Sequence, residues 1–163
     1  MIDSIQDSIV VIGEGYEVVS CNSAFAKNTQ IPINKIKGLD CDQIMPKYRS
    51  GILGKYCCKI TCKDKCDFSK VFNTGKASYI ERKNTDENNN LVFSGISLFP
   101  VKREGDVYQI VVIIRDITER RLGEEENIRL KEFNGKILDS FPVSIVVLDK
   151  YGKTILVNGM AKK

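Results

Sequence analysis

The sequence predicts an α+β fold, in which short helices cover one face of a five-stranded antiparallel sheet and a further helix follows it. Two short strands rich in β-branched residues open the chain, and three longer strands end near residue 118. The residues between these two groups are interrupted by Pro and Gly. Because the turns within each group are short, we expect the strands to pair as antiparallel hairpins.

The opening hairpin is formed by "SIVVIG" (8–13) and "EVVSCN" (17–22), with a Gly-containing turn between them. The next residues, "SAFAKNTQI" (23–31), predict a short helix. Either Asn22 or Ser23 can cap it, because both side chains accept hydrogen bonds from amides in the first turn of a helix.

The rest of the sheet is predicted from three strands that follow an irregular segment. Residues 32–74 contain scattered Pro, Gly and Cys, which predicts short helices and loops. The strands "ASYIERKN" (77–84), "LVFSGISLFPVK" (91–102) and "VYQIVVIIRDI" (107–117) are separated by turns rich in Asn, Asp and Gly.

Composition and charge limit the class of protein. The 163 residues are 42% hydrophobic and 28% charged, which suits one packed domain with part of another. A net charge of +4 is too small to predict direct nucleic-acid binding. No apolar stretch reaches the roughly 18 residues of a membrane span, and acidic residues stand where a signal peptide would be basic. We therefore expect a cytoplasmic protein without a membrane partner.

An internal repeat organises the chain. "IDSIQDSIVVIGEGYEVVSCN" (2–22) aligns without a gap with "LDSFPVSIVVLDKYGKTILVN" (138–158). The repeat predicts one complete domain (1–118) and the start of a second, truncated one (138–163), as in a fragment of a longer tandem protein.

A charged linker (119–137) joins the two copies and is suited to a helix. Leu130, Phe133 and Ile137 fit a heptad seam, whereas Gly123 weakens the earlier half. The linker is either a solvated single helix or the contact of a parallel homodimer.

The order of these elements resembles a PAS domain. The most specific local feature is Asp116-Ile117-Thr118, followed by "ERR", which is similar to the motif that joins PAS sensors to signalling helices. The resemblance implies a module that senses redox state, a metal or a small ligand, upstream of an effector domain of the same chain, such as a histidine kinase, a diguanylate cyclase or a transcription activator. The alternative is a PAS domain for dimerisation or protein interaction, with inert cysteines. The sequence contains no phosphate-binding loop and no histidine, so we expect the fragment itself not to be an enzyme.

The residues Asp116-Ile117-Thr118, called the closing motif below, also have a physical interpretation. Asp116 stands where the last strand ends and the helix begins, so it can cap the helix or form an ion pair with a basic residue of the sheet. Thr118 can supply a second cap. We expect Asp116, Ile117 and Thr118 to transmit the signal from sheet to helix.

The cysteines are concentrated in "CCKITCKDKC" (57–66), and the pattern that begins at Gly38-x-x-Cys41 resembles a cysteine-rich PAS subgroup. Four thiolates suit zinc or an iron–sulfur cluster. The candidate metal ligands are Cys41, Cys58, Cys62 and Cys66, with Cys57 as the alternate.

Other readings of the cysteines stay open. The spacing matches neither a zinc ribbon nor a ferredoxin, so a thiol–disulfide switch or reduced structural thiols without any cofactor are alternatives. Haem is disfavoured because the chain has no histidine. Cys21 alternates with Val19 on the second strand and is expected in the core.

Overall fold

The computed structural model describes residues 6–44, 67–86 and 88–162. The chain divides into two compact units, Met1–Thr118 and Glu119–Lys163.

The first unit is built on a five-stranded sheet in the order β2-β1-β5-β4-β3, with every neighbouring pair antiparallel. The strands are β1 Ser8–Gly13, β2 Val18–Cys21, β3 Ser78–Thr85, β4 Leu91–Arg103 and β5 Asp106–Asp116. The helices are α1 Ser23–Thr29, α2 Ile33–Ile36, α3 Cys41–Ile44 and α4 Asp67–Thr74. The predicted fold class is confirmed.

The core lies between the helices and one face of the sheet. Every second residue of a strand points into this core, because successive side chains of a strand lie on opposite faces of the sheet. Val10, Ile96 and Val112 occupy the sheet side, and Phe25 and Ile36 occupy the helix side. All are buried, with at most 8% of their surface exposed. The β-branched and aromatic residues that predicted the strands thus also form the packed interface.

Asn22 connects the opening hairpin to α1. Its Oδ1 accepts hydrogen bonds from the backbone amides of Phe25 (3.0 Å) and Ile9 (2.9 Å), and its Nδ2 donates to the carbonyl of Asp7 (2.9 Å). Asn22 is 1% exposed. Of the two caps that the sequence allows, the structure uses Asn22, and the same side chain fixes the start of β1.

The second unit contains most of helix α5 (Thr118–Ser140), strands β6 (Val146–Leu148) and β7 (Thr154–Val157), and a 3₁₀ turn at Gly159–Lys162. Helix α5 extends beyond residue 137, where the linker is predicted to end. No helix in the described part of the chain is long and apolar enough to cross a membrane.

The β6–β7 hairpin repeats the β1–β2 hairpin in its backbone pairing. Val10 pairs with Cys21, and its aligned residue Val146 pairs with Val157. The register shifts after Val11 in the first copy and after Val147 in the second.

Asn158 repeats the contacts of Asn22. Its Oδ1 accepts from the amides of Ile145 (2.9 Å) and Ala161 (3.2 Å), and its Nδ2 donates to the carbonyl of Val143 (2.8 Å). The two aligned segments therefore form the same local structure.

Candidate functional site

The junction between the sheet and α5 is held by hydrogen bonds to Phe93 of β4. The Phe93 amide donates to Thr118 Oγ1 (2.9 Å), and the Ile117 amide donates to the Phe93 carbonyl (2.9 Å). The Thr118 hydroxyl also lies 3.4 Å from that carbonyl. Phe93 is 4% exposed, so these bonds are buried at the Phe93 end and partly buried at Thr118. The first residue of α5 is therefore bonded to β4, a strand that is distant in sequence.

Asp116, the last residue of β5, supports the first turn of α5. Its Oδ1 accepts a hydrogen bond from the Thr118 amide (2.9 Å), one of the first amides of α5, which have no acceptor within the helix. A carboxylate near a helix N-terminus also interacts favourably with the helix dipole. Asp116 thus acts on the helix start, whereas the Thr118 hydroxyl bonds to β4 instead of supplying a second cap.

A charged pair joins the end of β5 to the segment before β1. Arg115 donates to Asp7 Oδ2 from both Nε (2.8 Å) and Nη2 (2.6 Å). The hydrogen bonds and the negative charge of Asp7 raise the pKa of Arg115 above its usual value. The Asp7 carbonyl is itself bonded to Asn22. The residue that precedes the closing motif is therefore tied to the N-terminal end of the sheet.

Gly95 provides space for the closing motif on the sheet face opposite the helices. A Cβ atom at Gly95 would lie 2.8 Å from Tyr79 Oη and 3.4 Å from Ile117 Cγ2. Ile117 is 6% exposed, and the Tyr79 hydroxyl donates to Glu81 Oε1 (2.9 Å). Side chains from β3 and from the closing motif thus converge over a strand position that has no side chain.

The candidate metal ligands fall into two groups. Cys41 is the first residue of α3 and is buried in the core, and its amide donates to the Tyr16 carbonyl (2.8 Å). The other candidates, Cys57, Cys58, Cys62 and Cys66, lie outside the described residues. Within the described ranges, no three Cys, Asp or Glu side chains are grouped as a metal site. The metal site therefore stays a prediction.

Cys21, which the sequence places in the core, lies at the edge of it. It lies on β2, is half-buried and packs against the hydrophobic cluster.

Sequence reasoning missed the partners of the closing motif. The sequence singles out Asp116, Ile117 and Thr118, but it does not single out Asp7, Phe93 or Gly95. A glycine inside a strand often marks close approach by another group, which is a signal that could have identified Gly95. The other partners are distant in sequence from their contacts, so no local pattern predicts them.

Comparison with known proteins agrees with this architecture. The family model described as PAS domain matches residues 6–119. None of the curated proteins compared with the chain matches it. An RNA-binding light-oxygen-voltage receptor is similar in structure, with TM-score 0.55 and 18% identity over 82% of this chain. The matched region is 35% of that receptor, so the chain spans about a third of its length.

A sensory box sensor histidine kinase from Vibrio cholerae is also similar, with TM-score 0.53 and 13% identity, covering 72% of this chain and 86% of the other. At these identities the two structures support the fold alone. The family model covers most of the chain, and its region ends within the first turn of α5. The chain belongs to the PAS domain family.

Proposed function

We propose that this PAS domain is the sensory module of a cytoplasmic signal-transduction protein and passes its signal through α5 to an effector domain. The observation that supports the proposal is the hydrogen bonding of Thr118 and Ile117 to Phe93, which attaches the start of the helix to strand β4. The effector is a histidine kinase or a transcription regulator, and the module itself performs no catalysis.

The mechanism follows from the geometry of the junction. Phe93 has both of its backbone groups bonded to the closing motif. A stimulus that moves β4 relative to β5 must therefore move Ile117 and Thr118 with β4 or break these bonds. Either response gives α5 a second arrangement, and a stimulus that favours one arrangement shifts the population between them.

The tandem organisation is part of the proposal. Residues 138–163 would be the start of a second PAS unit, supported by the same register shift and the same asparagine contacts in both hairpins. Val10 and Ile12 of β1 are fully buried, whereas the aligned Val146 and Leu148 are each 53% exposed. In the first unit β1 pairs with β5 as well as β2. A second unit would supply the corresponding strand to β6.

The stimulus is proposed to act at the cysteines. Cys41, Cys58, Cys62 and Cys66, with Cys57 as the alternate, would hold zinc or an iron–sulfur cluster or would act as a redox switch. The burial of Cys41 in the core supports the proposal, because a change at this thiol would affect the packing of α3.

A second candidate function is favoured by the surface of α5. Five apolar side chains of this helix are between 41% and 59% exposed: Leu122, Ile128, Leu130, Phe133 and Ile137. Three of them form the predicted heptad seam. Exposed apolar side chains at such spacing suit a parallel homodimer. In this interpretation the domain dimerises and its cysteines are inert.

One experiment tests the main proposal. The full chain is purified without oxygen and analysed for iron, zinc and sulfide, and its hydrogen exchange is then compared before and after treatment with hydrogen peroxide. We expect bound metal or thiol oxidation, accompanied by changed exchange at the Phe93 and Thr118 amides. A Cys62→Ser and Cys66→Ser double variant should lose both responses.

A Cys21→Ser variant is the matched control, because Cys21 is a core cysteine outside the candidate set. Absence of metal together with unchanged exchange at both amides would refute the sensory proposal for the cysteines. A dimer in light scattering under the same conditions would then favour the interaction module.

A further inference from the structure

Tyr16 occupies a turn position at which glycine is usual. Its amide donates to the Gly13 carbonyl (2.9 Å), and the Gly13 amide donates to the Glu17 carbonyl (2.9 Å). A three-residue hairpin loop of this kind places its last residue in the left-handed region, and Tyr16 has φ 68°. The aligned residue of the second hairpin is Gly152, with φ 83°. A tyrosine is strained in this conformation, because its Cβ atom crowds the backbone.

Two contacts hold Tyr16 in this conformation. Its ring packs edge-on against Phe72 of α4, with the ring centroids 5.5 Å apart. Its carbonyl accepts a hydrogen bond (2.8 Å) from the amide of Cys41, the first residue of α3. Tyr16 and Phe72 are both partly buried against the hydrophobic core. One strained residue is therefore bonded to α3 through its backbone and packed on α4 through its side chain.

The two helices that Tyr16 contacts stand on either side of the cysteine cluster in the sequence. Helix α3 ends at Ile44, and α4 begins at Asp67, directly after the last cysteine of the cluster. Between the two helices lie four of the candidate ligands: Cys57, Cys58, Cys62 and Cys66. A change at these cysteines would act on the start of α4, and Tyr16 connects α4 to the fifth candidate, Cys41.

The ring contact and the backbone strain of Tyr16 oppose each other. A left-handed conformation is costly for any residue other than glycine, and an edge-on aromatic pair supplies a stabilisation of similar size beyond the area that it buries. If the Tyr16 ring leaves Phe72, the strain is no longer offset, and Tyr16 can return to negative φ. That rotation reorients the Tyr16 carbonyl, so the Cys41 amide would lose this acceptor.

We propose that Tyr16 is a two-state switch, in which packing of its ring on Phe72 of α4 controls the hydrogen bond between its carbonyl and Cys41 of α3. In the packed state φ is positive, and both helices are held to the hairpin. In the other state φ is negative, and both contacts are released together. This inference rests on the proposed sensory function and names the residue through which movement of α4 reaches Cys41.

A double-mutant comparison on the full chain tests the switch, with hydrogen exchange at the Cys41 amide measured by NMR. Phe72→Ala removes the partner of the Tyr16 ring. In the chain with Tyr16, exchange at the Cys41 amide should become about tenfold faster, because the strained turn is no longer held. In a Tyr16→Gly background, positive φ is unstrained and needs no ring contact, so Phe72→Ala should change exchange at Cys41 by less than about twofold.

Two control variants separate the switch from a general loosening of α4. Tyr16→Phe keeps the ring and should respond to Phe72→Ala as the chain with Tyr16 does. Val71→Ala loosens the same helix at a residue that is 1% exposed but leaves the Phe72 ring in place, so its effect on Cys41 should be the same with and without Tyr16→Gly. If Phe72→Ala does not fold, Phe72→Leu, which also removes the ring but keeps an apolar side chain, gives the same comparison.

Equal acceleration of exchange at Cys41 by Phe72→Ala in both backgrounds would overturn the proposal. So would the absence of any acceleration in the chain with Tyr16. Failure here is distinguishable from failure of the sensory proposal, because these measurements involve neither metal nor oxidation, whereas the sensory proposal is tested by the response of the Phe93 and Thr118 amides to treatment of the cysteines.

Discussion

Replacing Thr118 with Val tests the junction between the sheet and α5. Valine keeps the β-branched shape of threonine but replaces the hydroxyl with a methyl group. The Phe93 amide, which donates to Thr118 Oγ1 at 2.9 Å, then loses its acceptor inside the protein. The Phe93 carbonyl keeps a partner, because the Ile117 amide still donates to it. The substitution therefore removes the Thr118 acceptor from a backbone donor of a residue that is 4% exposed.

The expected cost follows from that single lost bond. A buried donor left unsatisfied costs roughly 1–3 kcal/mol, so the free energy of unfolding should fall by about 2 kcal/mol. With a urea m-value of about 2 kcal/mol/M, the unfolding midpoint of the first unit should shift by about 1 M. Thr118→Ser keeps the hydroxyl and should lose well under half as much.

Hydrogen exchange separates this mechanism from a general loss of stability. The Phe93 amide should become unprotected in Thr118→Val under conditions where amides in the centre of β4 remain protected. If the unfolding free energies of the Val and Ser variants agree within about 0.5 kcal/mol, and the Phe93 amide stays protected in both, the hydroxyl is not what holds the junction.

Two further substitutions test the surroundings of the junction and the repeat. Gly95→Ala should lower the free energy of unfolding in urea by about 1 kcal/mol, because its methyl group would lie 2.8 Å from Tyr79 Oη. In a Tyr79→Ala background this loss should disappear. A loss of the same size in that background would exclude the contact with Tyr79 as its cause. Asn22→Ala should speed hydrogen exchange at the Ile9 amide, and Asn158→Ala should do the same at Ile145, because each asparagine accepts the corresponding amide at 2.9 Å. Equal protection before and after either substitution would contradict the assigned bonding role of that asparagine.

The part of the fold that the sequence predicts is the part encoded locally. The period of the strands, the turn residues and the cap at Asn22 all act within a few residues, and all appear in the structure. The sheet order β2-β1-β5-β4-β3 places β1 beside β5, a pairing between the two ends of the domain. No local pattern specifies that pairing.

In the candidate site, too, local sequence patterns identify some residues but not the partners that they contact. Asp116 and Thr118 could be identified because their spacing suits a helix start, but their function in the structure depends on Phe93, which comes from another strand. Arg115 and Asp7 form their ion pair only because β1 and β5 are neighbours. A sequence pattern can thus identify a residue at a junction without identifying what it is joined to.

The two hairpins separate local from tertiary determinants within one chain. Tyr16 and the aligned Gly152 both adopt positive φ angles, 68° and 83°, at the same position of the turn. Glycine does so without strain, whereas a tyrosine does so at some cost. The Tyr16 ring packs edge-on against Phe72, with centroids 5.5 Å apart, a tertiary contact that offsets this cost.

The register, however, is the same in both copies, although β1 is paired on two sides and β6 pairs with β7 alone among the described strands. The side chains that are buried in the first copy, such as Val10, are exposed in the second, as at Val146. The same register therefore occurs with buried and with exposed strand side chains, so it does not depend on the β1–β5 pairing. The turn position and the asparagine contacts are the determinants that the two copies share.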